Sequence, residues 1–359
     1  MAAALALAAR GLGRVAPNPA VGCVIVNDGR VVGRGWTQPG GRPHAETEAL
    51  NRAGPAARGG CAYVTLEPCA HHGQTPPCAE ALIAAGIARC VVALEDPDPR
   101  VAGGGLARLR DAGVEVAVGL RGAAAGELNA GYISNRTQGR PLVTLKLATT
   151  LDGRIATKRG DSRWITGAAA RARGHLLRAH HDAVMIGSGT AVADNPRLDV
   201  RLDGLEAAAP LRIVLDGRLR LPLTHDLVTR AKSQPSWLVT HRNGPPDRLE
   251  AYQAAGVEVI PIAADAGGNL SMPAALAALA KRGITRVLVE GGGHIAAAFL
   301  RAGLVDRLIW FHAPTVIGGD GVPAVTGFGL DDLAEAPGFT LQHCHRIGED
   351  LVESYARRT

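Results

Sequence analysis

Apolar residues along this chain gather in short runs of strand length, and the runs alternate with stretches in which apolar positions recur at helical spacing. In the first part the runs cover residues 21–26, 61–66, 90–94 and 114–118, and the helical spacing covers 44–53, 78–86 and 105–112. Short unbroken apolar runs bounded by turn residues predict buried strands, and the stretches between them predict amphipathic helices. Alternation of this kind predicts a layered α/β domain. Beyond residue 141 the pattern resumes, with strands predicted near 142–148, 183–187, 211–215, 236–240, 257–262, 285–290 and 306–312, and helices over 167–180, 272–282 and 293–302. The polar stretch Arg136-Thr137-Gln138-Gly139-Arg140-Pro141 ends in a helix-breaking proline and separates the two patterns. The expected domains are therefore residues 1–138 and 141–359. The apolar run Ala2 to Ala9 has no basic stretch before it and is too short to span a bilayer, so it reads as a first helix and not as a signal or membrane segment.

Composition narrows the class. A chain of 359 residues is long enough for two cores, and 47% hydrophobic with 20% charged residues suits a soluble globular protein. The net charge of +6 comes from arginines and lysines scattered among acids, with only 3% aromatics, so no nucleic-acid partner is expected. Five of the six cysteines precede residue 91. Cys23, Cys61 and Cys90 sit in or beside apolar runs and read as small core residues, whereas Cys69 and Cys78 each follow a proline in polar surroundings. A metal-binding pair without a disulfide framework favours a reducing, cytoplasmic setting.

The chemistry is concentrated in His44-Ala45-Glu46, Pro68-Cys69 and Cys78. Zinc in a hydrolytic site takes three protein ligands, here His44, Cys69 and Cys78, and acidifies a water in the fourth position. Glu46 stands where zinc deaminases keep a general acid/base that is not a ligand. The common deaminase spacing is Pro-Cys-x-x-Cys, but here eight residues separate the cysteines. His71 and His72 in that spacer are competing donors by type, or else they line the substrate mouth or sit on the surface. His44 and Glu46 are placed at the start of one helix and Cys78 at the start of another, where the positive helix ends favour a thiolate.

In the second half, Lys146 interrupts an apolar strand in a chain that has only four lysines. It is either a functional ammonium or a strand residue on a solvated face. Glu290 ends another apolar strand, where a carboxylate is costly unless paired or at a site. The strand then runs through Gly291-Gly292-Gly293 into a helix, an arrangement that presents backbone amides to a phosphate but equally makes a tight turn. Gly187-Ser188-Gly189-Thr190 carries the same two readings.

With these residues in place, the chain resembles the bifunctional deaminase-reductase family of riboflavin biosynthesis. The resemblance rests on Pro17-Asn18-Pro19-Ala20-Val21-Gly22, Gly41-Arg42-Pro43-His44-Ala45-Glu46, the run Thr65 to Cys78 with its Thr-Pro-Pro-Cys ending, and Asp96-Pro97-Asp98-Pro99. In the second half it rests on Leu151-Asp152-Gly153-Arg154, Ser162-Arg163-Trp164-Ile165-Thr166 and the run Gly189 to Arg201. It implies a cytidine-deaminase-like α/β/α domain followed by a dihydrofolate-reductase-like α/β domain, with Zn2+ and NADPH as cofactors. By the same resemblance Ala148, Trp164, Thr190, Asp194, Gly292, Gly293, His294, Ile295 and Ala296 would contact NADPH. Lys146, Ser162, Arg178, Leu198, Asp199, Arg201 and Glu290 would contact the substrate. Arg178 and Arg201 offer forked donors that suit a phosphate monoester.

The implied reactions are deamination of 2,5-diamino-6-ribosylamino-4(3H)-pyrimidinone 5′-phosphate, with Glu46 moving protons, and then hydride transfer from NADPH to the opened ribosyl chain. The expected partner is this small phosphorylated pyrimidine, the expected assembly a homo-oligomer, and no membrane partner is expected. Two departures from the family pattern stand out. Gly35-Trp36-Thr37 lacks a histidine common there, and Asp216-Gly217 lacks a serine that would touch the cofactor. The rival readings are a single-function zinc deaminase whose second half only binds a nucleotide, and a deaminase acting on RNA.

Overall fold

In the computed structural model, residues 1–70, 76–99 and 101–358 are described, so His71 and His72 lie outside the described residues. The chain divides into two units, Met1–Arg140 and Pro141–Thr359, each built around its own core.

The first unit begins with helix α1 (Ala2–Ala8), and the first apolar run becomes β1 (Gly22–Asn27). Asp28 and Gly29, both at positive φ (47° and 72°), turn the chain into β2 (Arg30–Trp36), antiparallel to β1. Such a pair is the favoured two-residue hairpin turn. Strand β2 carries two glycines and two arginines, so it escapes an apolar-run reading. Helix α2 (Ala45–Ala53), β3 (Cys61–Val64), α3 (Cys78–Ala84), β4 (Arg89–Val92), α4 (Gly104–Asp111) and β5 (Glu115–Val118) follow. The unit closes with α5 (Gly122–Leu128) and α6 (Ala130–Gln138). The sheet order is β2-β1-β3-β4-β5, antiparallel through β3 and parallel from β3 to β5. Cys23 and Cys90 are fully buried core residues, as their apolar runs predict, whereas Cys61, expected in the core as well, is only half-buried at the start of β3.

Glycines in β2 bring α2 close to the sheet. A Cβ on Gly33 would lie 2.2 Å from the Ala49 carbonyl oxygen, and one on Gly35 would lie 2.1 Å from that of Ala45. Only hydrogen fits between strand and helix there. This contact fixes the height of α2, and with it His44 and Glu46.

The second unit opens with β6 (Leu142–Thr150) and β7 (Arg154–Ala156), then α7 (Ala168–Ala179), β8 (Ala183–Gly187), α8 (Ser188–Asp194), β9 (Leu211–Leu215) and α9 (Asp226–Thr229). It continues through β10 (Ser236–His241), α10 (Pro246–Ala254), β11 (Glu258–Ile262), α11 (Met272–Ala280), β12 (Arg286–Val289), α12 (Gly293–Arg301), β13 (Arg307–Ala313) and β14 (Val322–Pro323). A last hairpin, β15 (Phe339–Ile347) and β16 (Asp350–Arg357), completes it. The large sheet runs β11-β10-β9-β8-β12-β6-β13-β16-β15, with every pair from β11 to β13 parallel and the last two pairs antiparallel. Strand β8 is buried at all five positions, which is why it reads as an unbroken apolar run. Strand β15 is exposed over most of its length and shows no such signal. In open sheets of this kind, ligand clefts form beyond the carboxyl ends of the parallel strands. No helix among the described residues is long and apolar enough to cross a membrane.

Candidate functional site

The first site is held by two helix starts and one loop. His44 caps α2, Cys78 opens α3, and Cys69 lies on the segment after β3. Their donor atoms all lie within 4.8 Å of one another. His44 Nδ1 is 3.3 Å from Cys78 Sγ and 3.7 Å from Cys69 Sγ, and the Cys78 amide donates to Cys69 Sγ at 3.4 Å. With Zn–S near 2.3 Å and Zn–N near 2.0–2.1 Å, tetrahedral geometry sets N and S about 3.6 Å apart. The spacing of His44 Nδ1 from the two sulfurs therefore suits a zinc ion.

Electrostatics follow from this crowding. The Cys78 thiol and amide that donate to Cys69, together with His44, pull the Cys69 thiol down to about 4. Its contact with Cys69 raises His44, and Cys78 is raised because it donates to Cys69 and is buried. Metal binding at these ligands releases the protons they carry. Glu46 is buried, and burial, reinforced by the Cys69 thiolate, raises its carboxyl to about 7. A carboxyl held there can take up or give a proton near neutrality.

A cavity of ≈ 100 Å³ opens beside these groups, lined in part by Asn18, Arg42, Asp96, Asp98, Tyr132 and Arg136. Asp96 accepts the Asp98 amide at 2.9 Å and the Tyr132 phenol at 3.1 Å, while Arg136 reaches Asp98 at 3.5 Å. Behind them the Glu67 carboxylate accepts the amides of Asp96, Gly103, Gly105 and Leu106 at 2.8–3.2 Å. It ties the loop carrying Asp96 to the start of α4, where helix amides favour a carboxylate. Sequence reading singled out Asp96 and Asp98 only as matching residues and missed Tyr132 and Arg136. The two missed residues stand one helical turn apart on α6, a helix that no apolar run announced.

In the second unit, Glu290 and Gly292 mark two neighbouring cavities. One, of ≈ 840 Å³, is lined by Gly187–Thr190, Gly292, His294 and Ile295. A Cβ on Gly292, whose φ is 76°, would approach Thr190 Oγ1 to 3.1 Å, and one on Gly293 would lie 2.8 Å from the Pro323 carbonyl. The turn thus leaves bare backbone facing the cavity at the start of α12, a cradle that suits a dinucleotide phosphate.

The other cavity, of ≈ 240 Å³, gathers Lys146, Ala148, Ser162, Trp164, Arg178, Arg201 and Glu290, together with Arg171 and His175, which sequence reading did not single out. Arg178 closes its fork on Glu290 at 2.5 and 2.8 Å and gives its remaining amino group to the Asp199 carbonyl at 3.0 Å. The forked donors expected to face a phosphate are therefore spent on Glu290, and Arg178 holds that carboxylate in place. Burial works to raise Glu290, but Arg178, with help from Lys146 and His175, brings it down to about 2. Lys146 faces this cavity and not a solvated surface. Its ammonium is 5.6 Å from the Phe311 ring, and burial lowers its pKa. Trp164 is 67% exposed with the Arg171 guanidinium 4.6 Å over its ring, so it is not a core residue.

Other expected contacts stand elsewhere. Asp194 is exposed at the end of α8, Leu198 is buried beneath the loop, and neither lines the two cavities; Gly293 and Ala296 are buried in α12. Asp199 does not line the second cavity either, but its carbonyl accepts from two residues that do, Arg178 and, at 3.2 Å, His175. Asp152 turns away to accept the Ile317 and Gly318 amides, so this motif residue clamps a loop.

The fold and the two sites define a two-unit enzyme, with a zinc deaminase centre followed by an α/β unit of the reductase type. Residues 1–94 match the cytidine and deoxycytidylate deaminase zinc-binding region, and residues 141–353 match the RibD C-terminal domain. The chain is 42% identical to the riboflavin biosynthesis protein RibD of Escherichia coli over 98% of this chain and 96% of that protein. Among solved structures it is similar to Acinetobacter baumannii RibD (39% identity, TM-score 0.88, covering 99% of this chain and 97% of that one). It is also similar to a diaminohydroxyphosphoribosylaminopyrimidine deaminase/5-amino-6-(5-phosphoribosylamino)uracil reductase from Thermotoga maritima (34%, TM-score 0.86, 99% and 97%). The chain belongs to the RibD family of riboflavin biosynthesis proteins, and the expected α/β fold class of both units holds.

Proposed function

We propose that this chain carries out two successive steps of riboflavin biosynthesis on one phosphorylated pyrimidine. Residues 1–138 deaminate 2,5-diamino-6-ribosylamino-4(3H)-pyrimidinone 5′-phosphate, and residues 141–359 reduce the ribosyl chain of the product to give 5-amino-6-(5-phosphoribitylamino)uracil. The observation that carries the reading is the join of His44, Cys69, Cys78 and Glu46 in one chain with a dinucleotide-sized cavity beside Lys146 and Glu290.

Bound to His44, Cys69 and Cys78, zinc supplies an acidified water and a Lewis acid. Glu46 takes the proton of the attacking water and returns it to the departing amine, and its burial keeps it able to do both near neutrality. Asp96, held by Tyr132, offers a fixed acceptor to the N–H groups of the pyrimidine.

In the second step NADPH supplies the hydride. Thr190 and the turn from Gly292 to Ala296 receive its phosphates, while Ala148 and Trp164 border the space for the nicotinamide. Asp194, the last residue of α8, contributes to the same cofactor set. Lys146, Ser162, Arg201 and Glu290 face the sugar phosphate, and Arg178, Leu198 and Asp199 position them. The exposed fork of Arg201 and the Lys146 ammonium supply the positive charge for the phosphate. The protein works as a cytoplasmic homo-oligomer with no nucleic-acid partner.

A second half that only binds a nucleotide is disfavoured, because the family match over residues 141–353 and the charged cavity beside Glu290 leave it equipped for chemistry. Mass spectrometry of the pyrimidine tests the reading. Without NADPH the substrate exchanges NH for O, and with NADPH it gains two further hydrogens; a product that never gains them rejects the second activity.

A further inference from the structure

Gly217 follows β9 where this chain departs from the Asp-Ser pattern, and the structure shows what fills the space. A Cβ on Gly217 would lie 2.8 Å from Nε2 of His241, the last residue of β10, closer than real side chains approach. The backbone at Gly217 is not in the left-handed region, so glycine is needed there for room and not for conformation. The parallel register Val239↔Leu215 continues to place 241 beside 217. A serine at 217 would force the present imidazole to move from where it stands.

His241 lines the ≈ 840 Å³ cavity together with Arg218, Arg220, Arg301 and one acid, Asp265. The Arg220 guanidinium is committed to Ser188 Oγ at 2.8 Å. Neither the His241 ring nor the Arg218 guanidinium has a hydrogen-bond partner among the described residues, so both have donors to offer. The cavity therefore has two unlike ends. Over β12 stand backbone amides at the start of α12, and over β9 and β10, two to three strand spacings or roughly 10–14 Å away, stand side-chain donors. Amides at a helix start suit a pyrophosphate, whereas an arginine beside an imidazole suits a dianionic phosphate monoester.

We infer that His241, in the room left by Gly217, joins Arg218 to bind the 2′-phosphate on the adenosine ribose of the cofactor and sets the preference for NADPH over NADH. The inference rests on the reductase reading above and names the residues that choose its cofactor.

Titration of the full-length protein with NADPH and with NADH, followed by nucleotide fluorescence, tests it without turnover. His241→Ala weakens NADPH binding by about 10-fold or more, the size of one hydrogen bond to a charged group, and leaves NADH within about twofold. His241→Gln, which keeps a donor, restores most of the preference. Gly217→Ser weakens NADPH binding while His241 is present and ceases to do so in the His241→Ala background. Retained NADH affinity shows that each variant is folded. Equal loss of both cofactors, or an unchanged ratio, overturns the inference while leaving the reductase reading in place. A wild-type protein that binds neither dinucleotide overturns both.

Discussion

The Tyr132 phenol donates to both oxygens of the Asp96 carboxylate, at 3.1 and 3.3 Å, across 36 residues of sequence. Burial raises the Asp96 carboxyl, and the donors from Asp98 and Tyr132 oppose that rise, keeping a carboxylate aimed into the zinc-site cavity. Because Tyr132 lies on α6, beyond the residues 1–94 that match the zinc-binding region, the last helix of the unit helps to build the cavity wall.

Replacing Tyr132 by Phe keeps the ring in the core but removes the donor, a loss of about 1 kcal/mol in a neutral setting and more at a carboxylate. Steady-state deamination assays are expected to show KM for the pyrimidine rising about 5- to 20-fold with kcat little changed, since Glu46 and the zinc ligands are untouched. An equal fall in kcat with KM constant would show that Tyr132 acts on the chemical step instead.

Gly35→Ala places a methyl group 2.1 Å from the Ala45 carbonyl oxygen and must push α2 off β2. Displacing a catalytic group by about 1 Å costs on the order of 100-fold in rate, so ammonia release should fall by that order in a protein that still folds. Gly126→Ala in α5 is the control. Nothing lies within 4 Å of its Cβ, and a helical alanine there is neutral or stabilising by up to about 1 kcal/mol.

His181 is buried, with Nδ1 2.7 Å from the Leu177 carbonyl and Nε2 2.9 Å from Thr144 Oγ1. The carbonyl can only accept, so Nδ1 carries the proton and Nε2 accepts from the threonine. Burial, reinforced by Arg286, lowers its pKa from 6.5 to about 3. The unfolded chain takes up a proton below about 6.5 while the folded one does not. The stability this residue contributes is therefore full above pH 6.5 and is lost as pH falls toward 3. Urea unfolding of the second unit, followed by tryptophan fluorescence, should show a pH dependence through this window that is shallower in His181→Gln.

Arg178 and Glu290 are nearly buried, with side-chain exposures of 16% and 9%. Glu290→Leu alone leaves an uncompensated guanidinium and should cost about 3–5 kcal/mol. Adding Arg178→Leu should return much of that stability, yet the double variant should not reduce the pyrimidine, because the cavity has lost its charges. Denaturant midpoints set beside NADPH consumption separate the two effects. A double variant less stable than the single would show that the pair does not act as a unit.

Much of this site is readable in one dimension because its parts are adjacent in sequence or obey fixed chemistry. His44, Glu46 and Cys78 occupy helix starts where the sequence sets them, and β8 and β12 are buried on both faces and so read as apolar runs. What escaped depends on the third dimension. Strand β2 is glycine-rich because a helix lies on it, and its one local signal is Asp28-Gly29. Tyr132 and Arg136 join the cavity only because α6 folds back, and nothing in their local pattern marks them. The pairing of Arg178 with Glu290 spans 112 residues, so an arginine that suited a phosphate turns out to hold a carboxylate. Strand β15 faces solvent over most of its length and lacks any apolar period.

One chain is proposed to run deamination and reduction in that order. The direct measurement is to incubate the zinc-loaded protein with the diaminopyrimidinone ribosyl phosphate and NADPH, following ammonia and NADPH absorbance in one sample beside Glu46→Gln, with zinc content assayed in both. Ammonia is expected to appear first and NADPH to fall only afterwards, and the variant is expected to keep its zinc but lose both signals. Ammonia release with constant NADPH, or NADPH consumption that survives in Glu46→Gln on the same substrate, would contradict the proposal.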